Sequence, residues 1–241
     1  MNKKIFVAMM FAAFVGTNSV VAETIKNVQY RVENMRCGHC AGRIKKALTA
    51  KEGVGDVTFD MEKKVVTIAY DADKVSTKAL ASAITEIKFT PTAYSKSDVI
   101  ERSASFKASQ MRCGGCAKRV KTNIGAVAGV KSVDVDLDTK SVKITYDANK
   151  VSSSSFKDAF KKFDYTVTTY MPNKIVAYTQ LTVAKGDLSN AGLEKLSKVK
   201  GFLDVNVNDK TKTIAIAYNT KALDEAGVKA QLKNLKYTLA D

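Results

Sequence analysis

All four cysteines of this 241-residue chain lie in two short segments. They are Met35-Arg36-Cys37-Gly38-His39-Cys40 and Met111-Arg112-Cys113-Gly114-Gly115-Cys116. Each is a C-x-x-C pair at the entry to a run that reads as a helix. Two chemistries use thiols at this spacing. A thiolate pair binds a soft metal ion, and a dithiol can cycle with its disulfide in thiol–disulfide exchange. Both need the thiolate. A helix start favours it, because its unpaired N–H groups and partial positive charge face the sulfurs. Arg36 and Arg112 add positive charge nearby. His39, the one histidine of the chain, is a candidate third ligand, although between the two cysteines its ring is expected to point to solvent. Two thiolates without further ligands suit Cu(I) or Hg(II). Structural Zn(II) wants four ligands, which Cys37, Cys40, Cys113 and Cys116 supply together only if the two segments meet face to face.

The elements that must position these thiols emerge when the chain is aligned with itself. An offset of 76 residues takes Cys37 to Cys113, Gly53 to Gly129 and Tyr70 to Tyr146. An offset of 72 takes Gly129 to Gly201 and Tyr146 to Tyr218. Each copy reads strand, helix, strand, strand, helix, strand. In the first copy Val28, Tyr30 and Val32 alternate as in a half-buried strand, and Ile44, Ala47 and Leu48 share a helix face. Val57 and Phe59 alternate again, and residues 65–70 form a β-branched strand. Ser76 or Thr77 is the expected N-cap of a second helix whose Leu80, Ile84 and Ile87 face inward. Residues 89–94 close the copy as an edge strand that tolerates Pro91. The third copy continues the pattern with Val176 and Tyr178, Leu193 and Leu196, Val205 and Val207. It lacks the thiols: Lys185 aligns with Cys37 and Cys113, Leu188 with Cys40 and Cys116, and Val183 replaces the Met.

The order βαββαβ in about 70 residues predicts an α+β fold of three tandem ferredoxin-like domains. Each has a four-stranded antiparallel sheet with two helices on one face. The expected boundaries are 25–96, 101–171 and 174–241, with residues 1–22 set apart. Lys3 and Lys4, the apolar residues 5–15 and small residues ending at Ala22 read as a secretory signal peptide cleaved near Ala22. The protein is therefore expected to be exported, periplasmic or extracellular, without stable membrane insertion: the apolar run is too short for a spanning helix. The formal charge of +15 raises nucleic acid as a partner. Export and the scatter of lysines through all three copies argue against it. With 45% hydrophobic residues, disorder is not the expectation.

A βαββαβ unit with Met-x-Cys-x-x-Cys between its first strand and first helix resembles the heavy-metal-associated domain. That family includes copper chaperones, amino-terminal domains of copper-transporting ATPases and a periplasmic mercury-binding protein. Asn34 and Gln110 stand where the family usually has Gly. The resemblance implies that Cys37, Cys40, Cys113 and Cys116 are metal ligands. It also implies that Met35 and Met111 pack beneath the loop, and that Phe89 and Tyr165 lie beside it. The function implied is that of an exported carrier, chaperone or scavenger of Cu(I), or of Hg(II) or Zn(II). It is not an enzyme, and its partners are a metal-transporting membrane protein or another thiol protein. Thiol–disulfide exchange is the competing reading. Thioredoxin-like units are longer, however, and usually carry a Trp before the first Cys, and this chain has no Trp. The third copy raises a further alternative, an interaction or adaptor module.

Overall fold

The computed structural model describes residues 24–240; the expected signal peptide lies outside them. Three four-stranded antiparallel sheets follow one another along the chain. Unit 1 contains β1 (Ile25–Val32), α1 (Gly38–Thr49), β2 (Val54–Asp60), β3 (Val65–Asp71), α2 (Thr77–Glu86) and β4 (Pro91–Ala93). Unit 2 contains β5 (Glu101–Lys107), α3 (Gly114–Gly125), β6 (Val130–Asp136), β7 (Ser141–Asp147), α4 (Ser155–Lys161) and β8 (Thr168–Thr169). Unit 3 contains β9 (Val176–Lys185), α5 (Asn190–Ser197), β10 (Phe202–Asn208), β11 (Thr213–Asn219), α6 (Glu225–Asn234) and β12 (Thr238–Leu239). In each sheet the strand order is second, third, first, fourth, as in β2-β3-β1-β4. This is the ferredoxin-like arrangement.

Register explains why the helices share one face. Val28 stands opposite Ile68 and Tyr30 opposite Val66. Val57 also meets Ile68, and Phe59 meets Val66. Directly opposed residues point to the same side of a sheet, so these six form one apolar face. Ile44 and Leu48 of α1 and Leu80 and Ile84 of α2 are fully buried against it. Ser76 caps α2, its hydroxyl accepting from the Ala79 N–H at 3.2 Å. The glycine kept at both offsets has a steric cause. Gly53, Gly129 and Gly201 have φ of 83°, 95° and 95°. A Cβ at Gly53 would lie 2.6 Å from that of Lys74.

The third unit departs from the expected parity. Ala177, Thr179 and Leu181 of β9 oppose Tyr218, Ile216 and Ile214 and face the helices. Tyr178 opposes Ala217 and points the other way, so Val176 and Tyr178 are not the inward set.

The short links between units come with direct ties. Glu62, in the turn between β2 and β3, accepts from the Ser153 N–H at 2.7 Å and from the Tyr146 hydroxyl. Arg102 donates to the carbonyls of Glu62 (2.7 Å) and Lys63 (3.2 Å) and pairs with Glu33 at 3.3 Å. Tyr94 donates to Asn149 at 2.7 Å. Units 1 and 2 are thus joined by side chains as well as by the chain.

The core of unit 2 is the most aromatic. Phe156 stacks edge-on against Tyr146 and Phe106, with centroids at 5.1 and 6.1 Å. Phe156→Ala is expected to cost unit 2 roughly 3–5 kcal/mol. Native-state hydrogen exchange in β5 and β7 measures it, and a loss below about 1 kcal/mol would contradict this packing.

Candidate metal centre

Both thiol pairs sit at the start of a four-strand-supported helix. Cys37 and Cys113 are the N-cap residues of α1 and α3, with φ/ψ of −155°/166° and −155°/165°. The helices begin one residue later. Cys40 and Cys116 therefore lie within the first turn. An extended N-cap followed by one helical turn brings the sulfurs together at 3.2 Å in unit 1 and 3.0 Å in unit 2. Cys37 and Cys113 are exposed, while Cys40 and Cys116 are half-buried. Each pair thus has an open side and a sheltered side.

The backbone does most to favour the thiolates. The Arg36 backbone N–H holds the Cys40 thiol below its ordinary range, with help from the Cys37 thiol and, less, the Arg43 charge. In unit 2 the Arg112 backbone N–H, the Cys113 thiol and the Tyr165 hydroxyl bring Cys116 down to about 7. Arg36 and Arg112 thus act through their amides. The nearby guanidinium in unit 1 belongs to Arg43, which donates to the Ile87 carbonyl at 3.0 Å and stacks over Phe89 at 5.2 Å. Arg119 occupies the same helix position in unit 2, over Phe163 at 5.9 Å.

The remaining sequence candidates divide cleanly. Met35 and Met111 are fully buried within the cores of their units, so their thioethers pack beneath the loop. His39 is exposed. Among the described residues no three of His, Cys, Asp and Glu gather as a metal cluster. The two cysteine pairs therefore do not meet as one four-thiol cluster. Phe89 and Tyr165 both border the loop but differ in chemistry. Burial pushes the Tyr165 hydroxyl up to about 12, and the neighbouring Cys116 thiol adds to it. Phe89 has no hydroxyl to offer.

Asn34 and Gln110 are positioning residues that sequence reasoning left without a role. Asn34 donates to the Lys88 carbonyl and accepts from the Thr90 N–H, both at 3.1 Å. Gln110 donates to the Asp164 carbonyl at 3.2 Å and accepts from the Thr166 N–H at 3.1 Å. Each amide ties the metal loop to the turn bearing its aromatic residue. The signal was available: a carboxamide recurs at the cysteine offset.

Unit 3 has lost more than its thiols. Val183 N–H bonds Lys212 at 2.8 Å, as Val32 bonds Lys64 (2.8 Å) and Ala108 bonds Lys140 (2.9 Å). Val183 is thus the counterpart of Val32 and Ala108, not of the methionines. Helix α5 has 8 residues against 12 in α1 and α3. The turn that carries the thiols elsewhere is missing. Lys185 ends β9, paired with Thr238, and the buried Leu188 precedes the N-cap Ser189. The Tyr237 ring lies against Gly186, where a Cβ would fall 2.1 Å from it. Its hydroxyl donates to the Asp187 carbonyl.

The sequence profile of the heavy-metal-associated domain matches residues 29–90 and 105–166. The chain belongs to the heavy-metal-associated domain family. Among curated relatives, the copper-exporting P-type ATPase of Bacillus subtilis is 26% identical over 58% of this chain and 16% of the ATPase. The copper chaperone CopZ of the same organism is 39% identical over 24% of this chain and 83% of CopZ. The solution structure of the N-terminal soluble domains of Bacillus subtilis CopA is 24% identical, covering 64% of this chain and 99% of that chain, at a TM-score of 0.29. The chain spans 16–20% of the length of the first three ATPases it matches.

Alkylation of Cys116 in the reduced protein is expected to rise with pH through a midpoint of about 7, because the thiolate is the nucleophile. Tyr165→Phe removes a donor to that thiolate and moves the midpoint up. An ordinary thiol midpoint of about 8.5 in the parent protein would contradict this.

Proposed function

We propose that this protein is an exported carrier or scavenger of Cu(I), one ion at each of two sites, Cys37 with Cys40 and Cys113 with Cys116. The observation that carries the reading is the pairing of two sulfurs at 3.2 and 3.0 Å on a helix start whose amides favour thiolates, with no third His, Cys, Asp or Glu gathered beside them among the described residues. Cu(I) is soft and accepts two ligands. Hg(II) shares these preferences and competes for the same thiolates, while Zn(II) would need donors that neither site holds. The copper proteins among the relatives support Cu(I) over Hg(II).

The geometry suits transfer by ligand exchange. An incoming thiolate from a partner binds the Cu(I), giving three sulfur ligands; the exposed Cys37 or Cys113 then departs, while the half-buried Cys40 or Cys116 still holds the ion until a second exchange. No electron changes hands, and the number of thiolates on the metal returns to two. The partner is a metal-transporting membrane protein or another thiol protein. Export rests on the leader-like residues ending at Ala22. Among the described residues no helix is long and apolar enough to cross a membrane.

The reduced protein is expected to take up about two equivalents of Cu(I) in competition with a colorimetric Cu(I) chelator. Cys37→Ser with Cys113→Ser should abolish this. Failure of the reduced parent protein to compete would sink the carrier reading. Cys40-dependent reduction of insulin would favour thiol–disulfide exchange in its place.

A further inference from the structure

Unit 3 kept the scaffold, so its surface needs an explanation other than metal of its own. The side of its sheet that faces away from α5 and α6 is covered. Asn206 and Ala215 oppose each other there, as do Asp204 and Ala217. Asn206, Ala215 and Ala217 are all buried. At the matching positions unit 2 carries Asp134, Lys143 and Thr145, of which the first two are exposed. Where unit 2 has Asp134, Lys143 and Thr145 this face carries the neutral Asn206, Ala215 and Ala217, with Asp204 in place of Ser132 as its one new charge among these positions, and the two alanines permit close approach of another chain segment.

The segment that approaches is residues 166–169 of unit 2. Asn206 donates to the Val167 carbonyl at 2.9 Å, and both residues are buried. Asp204 accepts from the Thr169 N–H at 2.6 Å and from Lys157 at 2.6 and 2.8 Å. The hydroxyls of Thr166 and Thr213 share a hydrogen bond at 2.5 Å. On the other side of Tyr165, Lys210 reaches Asp164 in an ion pair at 2.8 Å. Tyr165 is thus flanked on both sides by residues that unit 3 holds. The counterpart in unit 1 is different. Thr90 is exposed where Thr166 is fully buried. Lys88 occupies the left-handed turn position of Asp164, with φ of 68° against 72°, and Lys236 occupies it in unit 3. The acidic residue stands only in the unit that meets Lys210.

We infer that unit 3 is an internal clamp: by gripping Asp164 and residues 166–169 it fixes Tyr165 against Cys116, so that the second site exchanges metal more slowly than the first. The inference rests on the carrier reading. Lys210, Asp204 and Asn206 are positioning residues, since none touches the thiols. Exchange needs room for an incoming thiolate and a departing one, and a fixed, buried aromatic ring in the core cluster against which Cys116 packs restricts both. The first site, bordered by Phe89 on a turn held by Asn34, where the second turn has both Gln110 and unit 3, is the one that trades metal readily.

The test measures Cu(I) transfer to a colorimetric chelator by stopped flow in two full-length backgrounds. Cys37→Ser/Cys40→Ser reports on the second site, and Cys113→Ser/Cys116→Ser on the first. Lys210 is exposed, so Lys210→Glu leaves the unit folded while setting two like charges against each other at Asp164; adding Asp204→Lys does the same at Lys157. Release from the second site is expected to rise about fivefold or more, further in the double variant, with the first site unchanged. Asp164→Lys, the residue that the other two units carry, should restore the parent rate to Lys210→Glu. In a Tyr165→Ala background, which removes the ring, the effect of Lys210→Glu should shrink. Unchanged second-site release in both variants, or equal acceleration at the two sites, would overturn the clamp. If the parent protein takes up no Cu(I), the carrier reading itself fails; if it loads both sites and only the variants are silent, the clamp alone falls.

Discussion

Everything in this protein that bears on metal depends on one backbone constraint. A cysteine must occupy an extended N-cap while a second lies one helical turn inside. Only then do two sulfurs share a point in front of open amide groups. A helix start floating on a flexible loop would not hold that geometry. The sheet supplies the fixed end: Val32 and Ala108 are bonded into the hairpin turn beside them. Met35 and Met111 anchor the loop from below, fully buried in the core. Asn34 and Gln110 anchor it from the side. The apolar face of each unit therefore positions chemistry that takes place at its edge.

The three copies show which parts of the scaffold serve the fold and which serve the site. The helix-facing pattern persists in all of them, as does the positive-φ glycine before the second strand. What varies is the rim and the outer sheet face. The first rim carries His39 and Phe89, the second Gly115 and Tyr165. The third rim has lost a helical turn and is closed by Tyr237 on Gly186. The tyrosine that leans on a thiol in unit 2 leans on backbone in unit 3. Loss of the thiols thus coincides with loss of the turn that presented them, while the outer face of the same sheet became a surface for unit 2.

Much of this was legible in the sequence, for identifiable reasons. The gapless offset from the first copy to the second made the fold and the placing of both cysteine pairs at a helix start readable, since a shared register keeps strand parity and helix face together. The same method failed at the start of unit 3. A shortened helix shifts the strand before it relative to the hairpin after it, and the offset of 72 fitted only the later part. In β9 alternating apolar residues occur on both faces, because Tyr178 packs at the seam with unit 2 and Leu181 in the core, so periodicity alone could not choose. The ties of Glu62, Asp204 and Lys210 across unit boundaries were invisible for a different reason. They depend on how folded units meet, and polar residues in turns look solvated from sequence.

The central claim is that the paired thiols exist to hold a metal ion rather than to carry a disulfide. The most direct measurement is native mass spectrometry of the protein isolated anaerobically from its own compartment, with thiols and bound metal counted on each unit after limited proteolysis. The account predicts reduced cysteines with copper on units 1 and 2 and no metal on unit 3. Both pairs found as disulfides, with no metal bound and none taken up on reduction, would contradict it.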